Sequence, residues 1–105
     1  MSNPEHVDIV KQGKDVIARW RIEHPKEYFD LRQADLSWTD LSGADLHLAD
    51  LYAANLEGVN LCEANLWGSN LFGTNFFLAD IRRVNFNGAY RPSILPDGWG
   101  INAQG

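Results

Sequence analysis

The sequence contains a single cysteine, Cys62, and no long apolar segment. One thiol excludes an internal disulfide and any metal site built from several cysteines. No stretch approaches the roughly 20 apolar residues of a membrane span, and the charged N-terminus has no apolar run of the kind found in a signal peptide. We therefore expect a cytoplasmic protein that does not enter a membrane.

Basic residues are also scarce, since 9 Lys and Arg stand against 14 Asp and Glu, for a formal net charge of −5. Nucleic acids and anionic lipid surfaces are captured by positively charged proteins. The charge argues against direct binding to nucleic acid or membrane and is compatible with a basic partner. A chain of 105 residues is expected to form one domain.

The residue groups that catalysis and metal binding require are missing as well. We find no nucleophile paired with a base, no two carboxylates set in a concave site and no glycine-rich phosphate loop. The three histidines, His6, His24 and His47, are scattered along the chain and make no zinc-binding pattern. The sequence predicts a non-enzymatic protein without metal or cofactor.

What the sequence does contain is an uninterrupted run of twelve five-residue repeats over residues 29–88. Each repeat has a large apolar centre that follows an Asp or Asn, and a mostly small residue stands before that polar one. The centres are Leu31, Leu36, Leu41, Leu46, Leu51, Leu56, Leu61, Leu66, Leu71, Phe76, Ile81 and Phe86. The residues two positions earlier are Phe29, Ala34, Thr39, Ala44, Ala49, Ala54, Val59, Ala64, Ser69, Thr74, Ala79 and Val84.

A period of five fits neither regular secondary structure. On a helix, successive centres would be rotated by roughly 140° and would spread around the cylinder. In a straight strand, an odd period would place successive centres on opposite faces. A corner in every repeat solves this, with the small residue and the centre pointing inward and the Asp or Asn pointing outward. The last two positions then form a turn, and five glycines fall at the second of them.

This pattern resembles the pentapeptide-repeat family, in which a small residue, Asp or Asn, and Leu or Phe are followed by two variable positions. The resemblance covers all twelve repeats without a gap. It implies an all-β solenoid, namely a right-handed quadrilateral β-helix with four repeats per coil and about three coils. It also implies a small single-domain protein of the bacterial and cyanobacterial type, with an N-terminal α-helical cap and an irregular C-terminal tail.

We divide the chain into a helical cap over residues 1–28, the repeats over 29–88 and a tail over 89–105. The first segment is predicted to be one helix, which Asn3 caps and Pro25 limits. Its apolar stripe should cover the first turn of the column, with Trp20, Tyr28 and Phe29 as plugs. The tail contains two prolines and three glycines, and its apolar residues are the candidates for closing the other end. These are Tyr90, Ile94, Leu95 and Trp99.

Large apolar side chains at turn positions, where solvent exposure is normal, form the candidate interaction surface. They are Trp38, Tyr52, Phe72, Phe77 and Leu78, and we expect them around one corner together with Arg32. Monomers seldom keep such a patch exposed. Three explanations stay open: burial by the tail or the N-terminal helix, self-association as a homodimer, and an unknown protein partner.

The outward carboxylates form a second candidate surface, an acidic ring around the first turn. Its members are Asp30, Asp35, Asp40, Asp45 and Asp50, and later repeats mostly carry Asn instead. Stacking places residue n beneath n+20, so this change spares like charges from lying directly above one another. The repeat pattern therefore accounts for most of these residues.

The function that these features favour is a protein-interaction or scaffold module. The alternative comes from the resemblance, because some pentapeptide-repeat proteins modulate DNA gyrase, a type II topoisomerase, by imitating duplex DNA. A column of three turns is only about 15 Å tall at about 4.8 Å per turn. One turn of DNA rises roughly 34 Å, so the short column disfavours the alternative.

Overall fold

A computed structural model describes residues 1–90 of the chain. It begins with two helices, α1 (Pro4–Val10) and α2 (Lys14–Glu23). The Asn3 side chain caps α1 as predicted, accepting a hydrogen bond from the Glu5 N–H at 2.9 Å. The prediction of a single helix is wrong, because Gly13 lies between the two with φ of +93°. That backbone angle ends the helical path, and glycine adopts it without steric cost.

The apolar stripe of this segment nevertheless faces one core, since the side chains of Val10, Ile17 and Trp20 are buried. The Trp20 ring stacks on the Phe29 ring with their centroids 4.2 Å apart. Tyr28 does not act as a plug. Its residue surface is 47% exposed, because its side chain lies outside the stack that Trp20 and Phe29 form.

The repeats stack as predicted, with residue n beneath residue n+20. Parallel bridges join Asp30 to Asp50, Asp35 to Asn55 and onward in steps of five to Asn70 and Tyr90. Each turn of the backbone therefore takes four repeats. Within residues 1–90 these bridges stay isolated and no extended strand forms, because the chain turns again two residues after each bridge.

The interior of the column contains the predicted residues. Eleven of the twelve centres are buried, and Ile81 is partly buried. Ten of the twelve residues two positions earlier are buried, the partly buried ones being Thr39 and Ala79. Two buried hydroxyls are satisfied by backbone carbonyls, since Ser69 donates to Leu66 at 2.7 Å and Thr74 donates to Leu51 at 2.7 Å.

Every repeat ends in the same β-turn. In the first repeat the Ala34 N–H donates to the Leu31 carbonyl at 3.0 Å, and Gln33 between them has φ of +61°. All twelve second turn positions have φ between +55° and +74°, although only five of them are glycine. A positive φ at this position defines the type II turn, which explains why glycine recurs there. The seven other residues accept a strained backbone.

The repeat geometry continues two residues beyond position 88. The Ala89 N–H donates to the Phe86 carbonyl at 3.0 Å, and Tyr90 bridges to Asn70. Tyr90 is 63% exposed, so the prediction that it closes the end of the column is wrong. The other predicted closing residues, Ile94, Leu95 and Trp99, lie outside the described residues.

Candidate functional site

The outward Asp and Asn residues stabilise their own turns. In every repeat the side-chain Oδ1 accepts a hydrogen bond from the backbone N–H two residues later, at 2.9 to 3.4 Å. Asp and Asn are suited to this contact because their short side chains reach the local backbone. The acidic ring is therefore part of the repeat geometry.

The change from Asp to Asn along the chain has a direct structural reason. The Asn65 amide donates to the carboxylate of Asp45 beneath it at 3.3 Å, and Asn70 donates to Asp50 at 3.3 Å. A second carboxylate in the upper position would lack this donor and would repel the first. Asn is therefore the residue that continues a ladder begun by Asp.

Asp30 and Asp50, the one pair of stacked carboxylates within residues 1–90, have a cation beside them. Arg32 binds Asp30 through two hydrogen bonds of 2.8 and 2.9 Å and lies 3.9 Å from Asp50. The hydrogen bond from the Arg32 side chain lowers the pKa of Asp30. The hydroxyls of Ser37 and Ser42 lower the pKa of Asp35 and Asp40 in the same way.

Asp45 is the member of the ring that Arg21 of α2 contacts. Burial raises its pKa, but hydrogen bonds from His47 and the charge of Arg21 outweigh that effect and leave the pKa lowered. Arg21 also donates to the carbonyls of Asp45 and His47 at 2.6 and 2.7 Å, and its guanidinium lies 5.3 Å from the Phe29 ring centroid. This arginine, which sequence reasoning missed, fastens the helix to the repeats.

The residues of the candidate interaction surface lie at two neighbouring corners of the column. The expectation that they surround a single corner is therefore wrong. Tyr52 and Phe72 follow one face of the column, whereas Trp38, Phe77 and Leu78 follow the next. The reason is the four-repeat turn, which places residues five apart on adjacent faces. We call these two groups the first and the second ridge.

Tyr90 extends the first ridge, which thus becomes a ladder of three rings. Tyr52 stacks on Phe72 with centroids 5.9 Å apart, and Phe72 stacks on Tyr90 at 5.7 Å, with interplanar angles of 13° and 18°. Arg32 occupies the same position one turn earlier. The sequence prediction assigned Tyr90 to the end of the column and missed its place in this ladder, although its spacing after Asn70 is the twenty-residue repeat.

The second ridge is held by close packing on a glycine. Trp38 lies one turn from Gly58, and a Cβ atom added to Gly58 would come within 2.2 Å of the indole ring. The ring therefore rests directly on the glycine backbone, and Leu78 continues the position one turn later. Glu57 and Phe77 lie beside these residues. Each is one position earlier in its repeat, Glu57 before Gly58 and Phe77 before Leu78.

Both ridges are exposed. The exposed fraction is 67% for Trp38, 41% for Tyr52, 40% for Phe72, 56% for Phe77 and 64% for Leu78. Neither α1 nor α2 covers them. The narrow face between the ridges presents the ladder of Asp35, Asn55 and Asn75, in which each amide donates to the residue beneath at 3.5 and 3.3 Å.

The stacking of residue n beneath n+20 predicts from the sequence an ion pair between Glu63 and Arg83, and their side chains form it at 3.1 Å. The same spacing predicts that His47 stacks on Trp67. That prediction is wrong, since His47 turns to Asp45, with 2.6 Å between Nδ1 and Oδ1, and lies edge-on to Tyr28.

The described part of the chain offers no group of three or more His, Cys, Asp or Glu side chains that could hold a metal ion. None of the helices within residues 1–90 is long and apolar enough to cross a membrane.

Among solved structures, the chain resembles the pentapeptide repeat protein Rfr23 from the cyanobacterium Cyanothece 51142, with 36% identity and a TM-score of 0.56. The matched region covers 58% of this chain and 41% of that one, so the chain spans about two fifths of the Cyanothece protein. A pentapeptide repeat protein from the Arabidopsis thaliana thylakoid lumen matches with 23% identity and a TM-score of 0.41, over 63% of this chain and 50% of that chain.

A third structure, a pentapeptide repeat protein from Nostoc Pcc 7120, matches with 24% identity and a TM-score of 0.32, over 80% of this chain and 89% of that chain. No curated protein matches the sequence. The family model for pentapeptide repeats matches residues 30–68 and 49–88, with eight copies of the repeat. These ranges cover more than half of the chain, and the protein therefore belongs to the pentapeptide-repeat family.

Proposed function

We propose that the protein is a non-catalytic interaction or scaffold module that docks another protein through the two aromatic ridges. The observation that carries this proposal is the distribution of exposed apolar side chains. Within residues 1–90, eleven large hydrophobic residues are exposed, and six of them lie on the two ridges. These six are Trp38, Tyr52, Phe72, Phe77, Leu78 and Tyr90.

The size of this surface fits a docking role. An aromatic side chain carries roughly 150 to 250 Å², and the ridge residues keep 40 to 67% of their surface in solvent. Together they expose on the order of 600 Å², the upper end of the largest apolar patch on a typical monomer. Burying such a patch against a partner removes apolar surface from water, and this contributes favourable free energy to binding.

The ridges are also held in place before any partner arrives. Tyr52 and Phe72 stack on one another, and Trp38 rests on Gly58, above a core of buried leucines. Side chains that are already ordered lose less conformational entropy on binding. We further propose that the full column consists of three right-handed coils and that α1 and α2 close its first end. The cytoplasmic location stays a prediction.

The gyrase alternative has no observation in its favour. Imitation of DNA needs carboxylates along the whole length of a column, but the acidic ring lies at its first end, and Asp30 is paired with Arg32. Asn then replaces Asp in most later repeats.

The proposal is tested with a double variant, Phe72→Ser with Phe77→Ser, and a matched control, Tyr28→Ser with Trp67→Ser. Both pairs remove two exposed rings, but the control rings lie off the ridges. Light scattering measures self-association, and affinity capture measures a foreign partner. We expect the ridge variant alone to lose the assembly while keeping the native circular dichroism spectrum and Tm. A stable wild-type monomer that captures nothing, or equal losses in both variants, would contradict the proposal.

A further inference from the structure

The second ridge contains a carboxylate, that of Glu57, which has no cationic partner within residues 1–90. Glu57 occupies the middle turn, directly between Ser37 and Phe77 in the stacked column, and it stands next to the glycine on which the Trp38 ring rests. No Lys, Arg or His within residues 1–90 forms a salt bridge with Glu57. A carboxylate therefore lies between two exposed aromatic rings.

Other acidic residues near the corners form ion pairs with a local arginine. Glu63 pairs with Arg83 at 3.1 Å, and Asp80 pairs with Arg82 at 2.7 Å. Local arginines thus neutralise carboxylates elsewhere in the column. The second ridge has no such arginine in the described part of the chain, so the charge of Glu57 remains available to a binding partner.

Carboxylates outnumber cations around the two ridges. Asp35 stands on the face between them, and Asp50 borders the first ridge. Arg32 is the arginine at this end of the first ridge, but it is already bound to Asp30 at 2.8 Å. Lys11 is close enough to lower the pKa of Asp35, after the larger effects of its hydrogen bonds to Ser37. The ridges therefore present aromatic faces in an acidic setting.

Aromatic faces and carboxylates attract the same kind of group, a cation with a flat or apolar body. A guanidinium stacks on Trp and Tyr rings within about 6 Å of the ring centroid, and it pairs with a carboxylate through two parallel hydrogen bonds. Lysine carries a compact, strongly hydrated charge that stacks less well. An apolar partner surface would leave Glu57 buried and unpaired, which is costly.

We propose that the ridges receive an arginine-containing basic segment of a partner protein, with one guanidinium bound to Glu57 between Trp38 and Phe77. This inference rests on the proposed docking function and adds the chemistry of the partner. The remaining rings of the first ridge, Tyr52 and Phe72, contact the apolar parts of the same segment. The formal net charge of −5 assists the approach of such a partner.

The test uses the full chain and a nine-residue peptide made of three Arg-Ser-Gly units, with Lys-Ser-Gly and Glu-Ser-Gly peptides for comparison. NMR titration follows the indole N–H of Trp38 and the backbone of Glu57, and the change in shift gives Kd. We expect the arginine peptide to bind at least about five times more tightly than the lysine peptide, as planar pairing and stacking favour arginine. The glutamate peptide should cause no shift.

Glu57→Gln is the decisive variant, and Glu23→Gln on α2 is its matched control, because both remove one negative charge. Glu57→Gln should weaken binding of the arginine peptide at least about five-fold, and Glu23→Gln by less than about two-fold, since only the former removes a charge-assisted pair. Equal weakening by both variants would mean that the net charge alone attracts the peptide, and it would overturn the inference.

The outcomes also separate this inference from the docking function. If the ridge variant Phe72→Ser with Phe77→Ser loses a captured partner while the arginine peptide leaves Trp38 unshifted, docking stands and the basic partner is refuted. If light scattering shows a dimer that the ridge variant dissolves and Glu57→Gln leaves intact, the occupant is a second copy and the inference is again refuted. If neither partner nor dimer nor peptide binds, both proposals fail.

Discussion

Replacing Asn65 with Asp should destabilise the column much more than the same replacement at Asn85, which lies one turn later on the same ladder. Asn65 donates to Asp45 at 3.3 Å, and Asn85 donates to Asn65 at 3.3 Å. Each substitution keeps the Oδ1 acceptor and removes one side-chain hydrogen bond, which costs about 1 kcal/mol. Only Asn65→Asp also stacks two carboxylates.

The added repulsion can be estimated from the stacking distance. Two charges about 4.8 Å apart repel by about 1 kcal/mol in bulk water and by about 3 kcal/mol at an effective dielectric constant of 20. Arg21, whose Nε lies 3.9 Å from Asp45, offsets part of this repulsion. We therefore expect a total loss of about 2 to 3 kcal/mol for Asn65→Asp and about 1 kcal/mol for Asn85→Asp.

Urea unfolding at pH 7 and at pH 3, each at low and high salt, measures both variants against the wild type. The pKa of the introduced Asp should be raised in the folded state by the neighbouring carboxylate. Its penalty is therefore present at pH 7 and disappears as the pH falls through that raised pKa, so the two variants should converge at pH 3 and, partly, in high salt. Equal losses at pH 7, or a gap that persists at pH 3, would refute the ladder as the reason for Asn.

Three further results are expected. Gly58→Ala should lower the free energy of unfolding by about 2 to 3 kcal/mol in a urea titration. The φ of +67° is strained for Ala, and the new Cβ would displace the Trp38 ring. Unchanged stability would contradict the packing of this ring on Gly58. Gln33→Gly should raise Tm by a few degrees, about 1 kcal/mol, since φ of +61° suits glycine, and a lowered Tm would count against backbone strain at this turn. The lowered pKa of Asp40 predicts a contribution to stability that is present above about pH 4 and is lost as the pH falls through the folded-state pKa. Asp40→Asn should therefore flatten the dependence of the free energy of unfolding on pH in this acid range. An unchanged slope of the free energy of unfolding against pH would exclude Asp40 as its source.

The repeat made much of the column predictable. A centre such as Leu51 can be buried in every repeat only if the chain turns a corner each time, so period and polarity together place the core. The same argument placed the outward Asp and Asn residues, whose positions follow from covalent spacing. The Glu63 to Arg83 pair was predictable only with the four repeats per coil that the resemblance to the family implies.

The N-terminal segment was less predictable. The spacing of Ile9, Val10, Val16 and Ile17 fits one helix, and a single glycine within a helix costs only about 1 kcal/mol. The sequence pattern alone therefore could not show that Gly13 ends one helix and starts another. The positive φ of Gly13 arises where the chain passes Asp40, whose carbonyl lies 3.8 Å from the position of a Cβ on Gly13.

By itself, the sequence determined which side chains fill the interior and which carboxylates point outward, whereas the stacking of residue n beneath residue n+20 was implied by the resemblance to the family. Only the tertiary structure decided that the aromatic residues form two ridges, that Tyr90 extends one of them and that Glu57 stands unpaired beside Trp38 within the described residues. The physical reason is that burial of the centres follows from the five-residue period, which can be read within each short stretch of the repeats. Exposure and charge pairing depend on side chains from different turns, and these meet only after the column has closed.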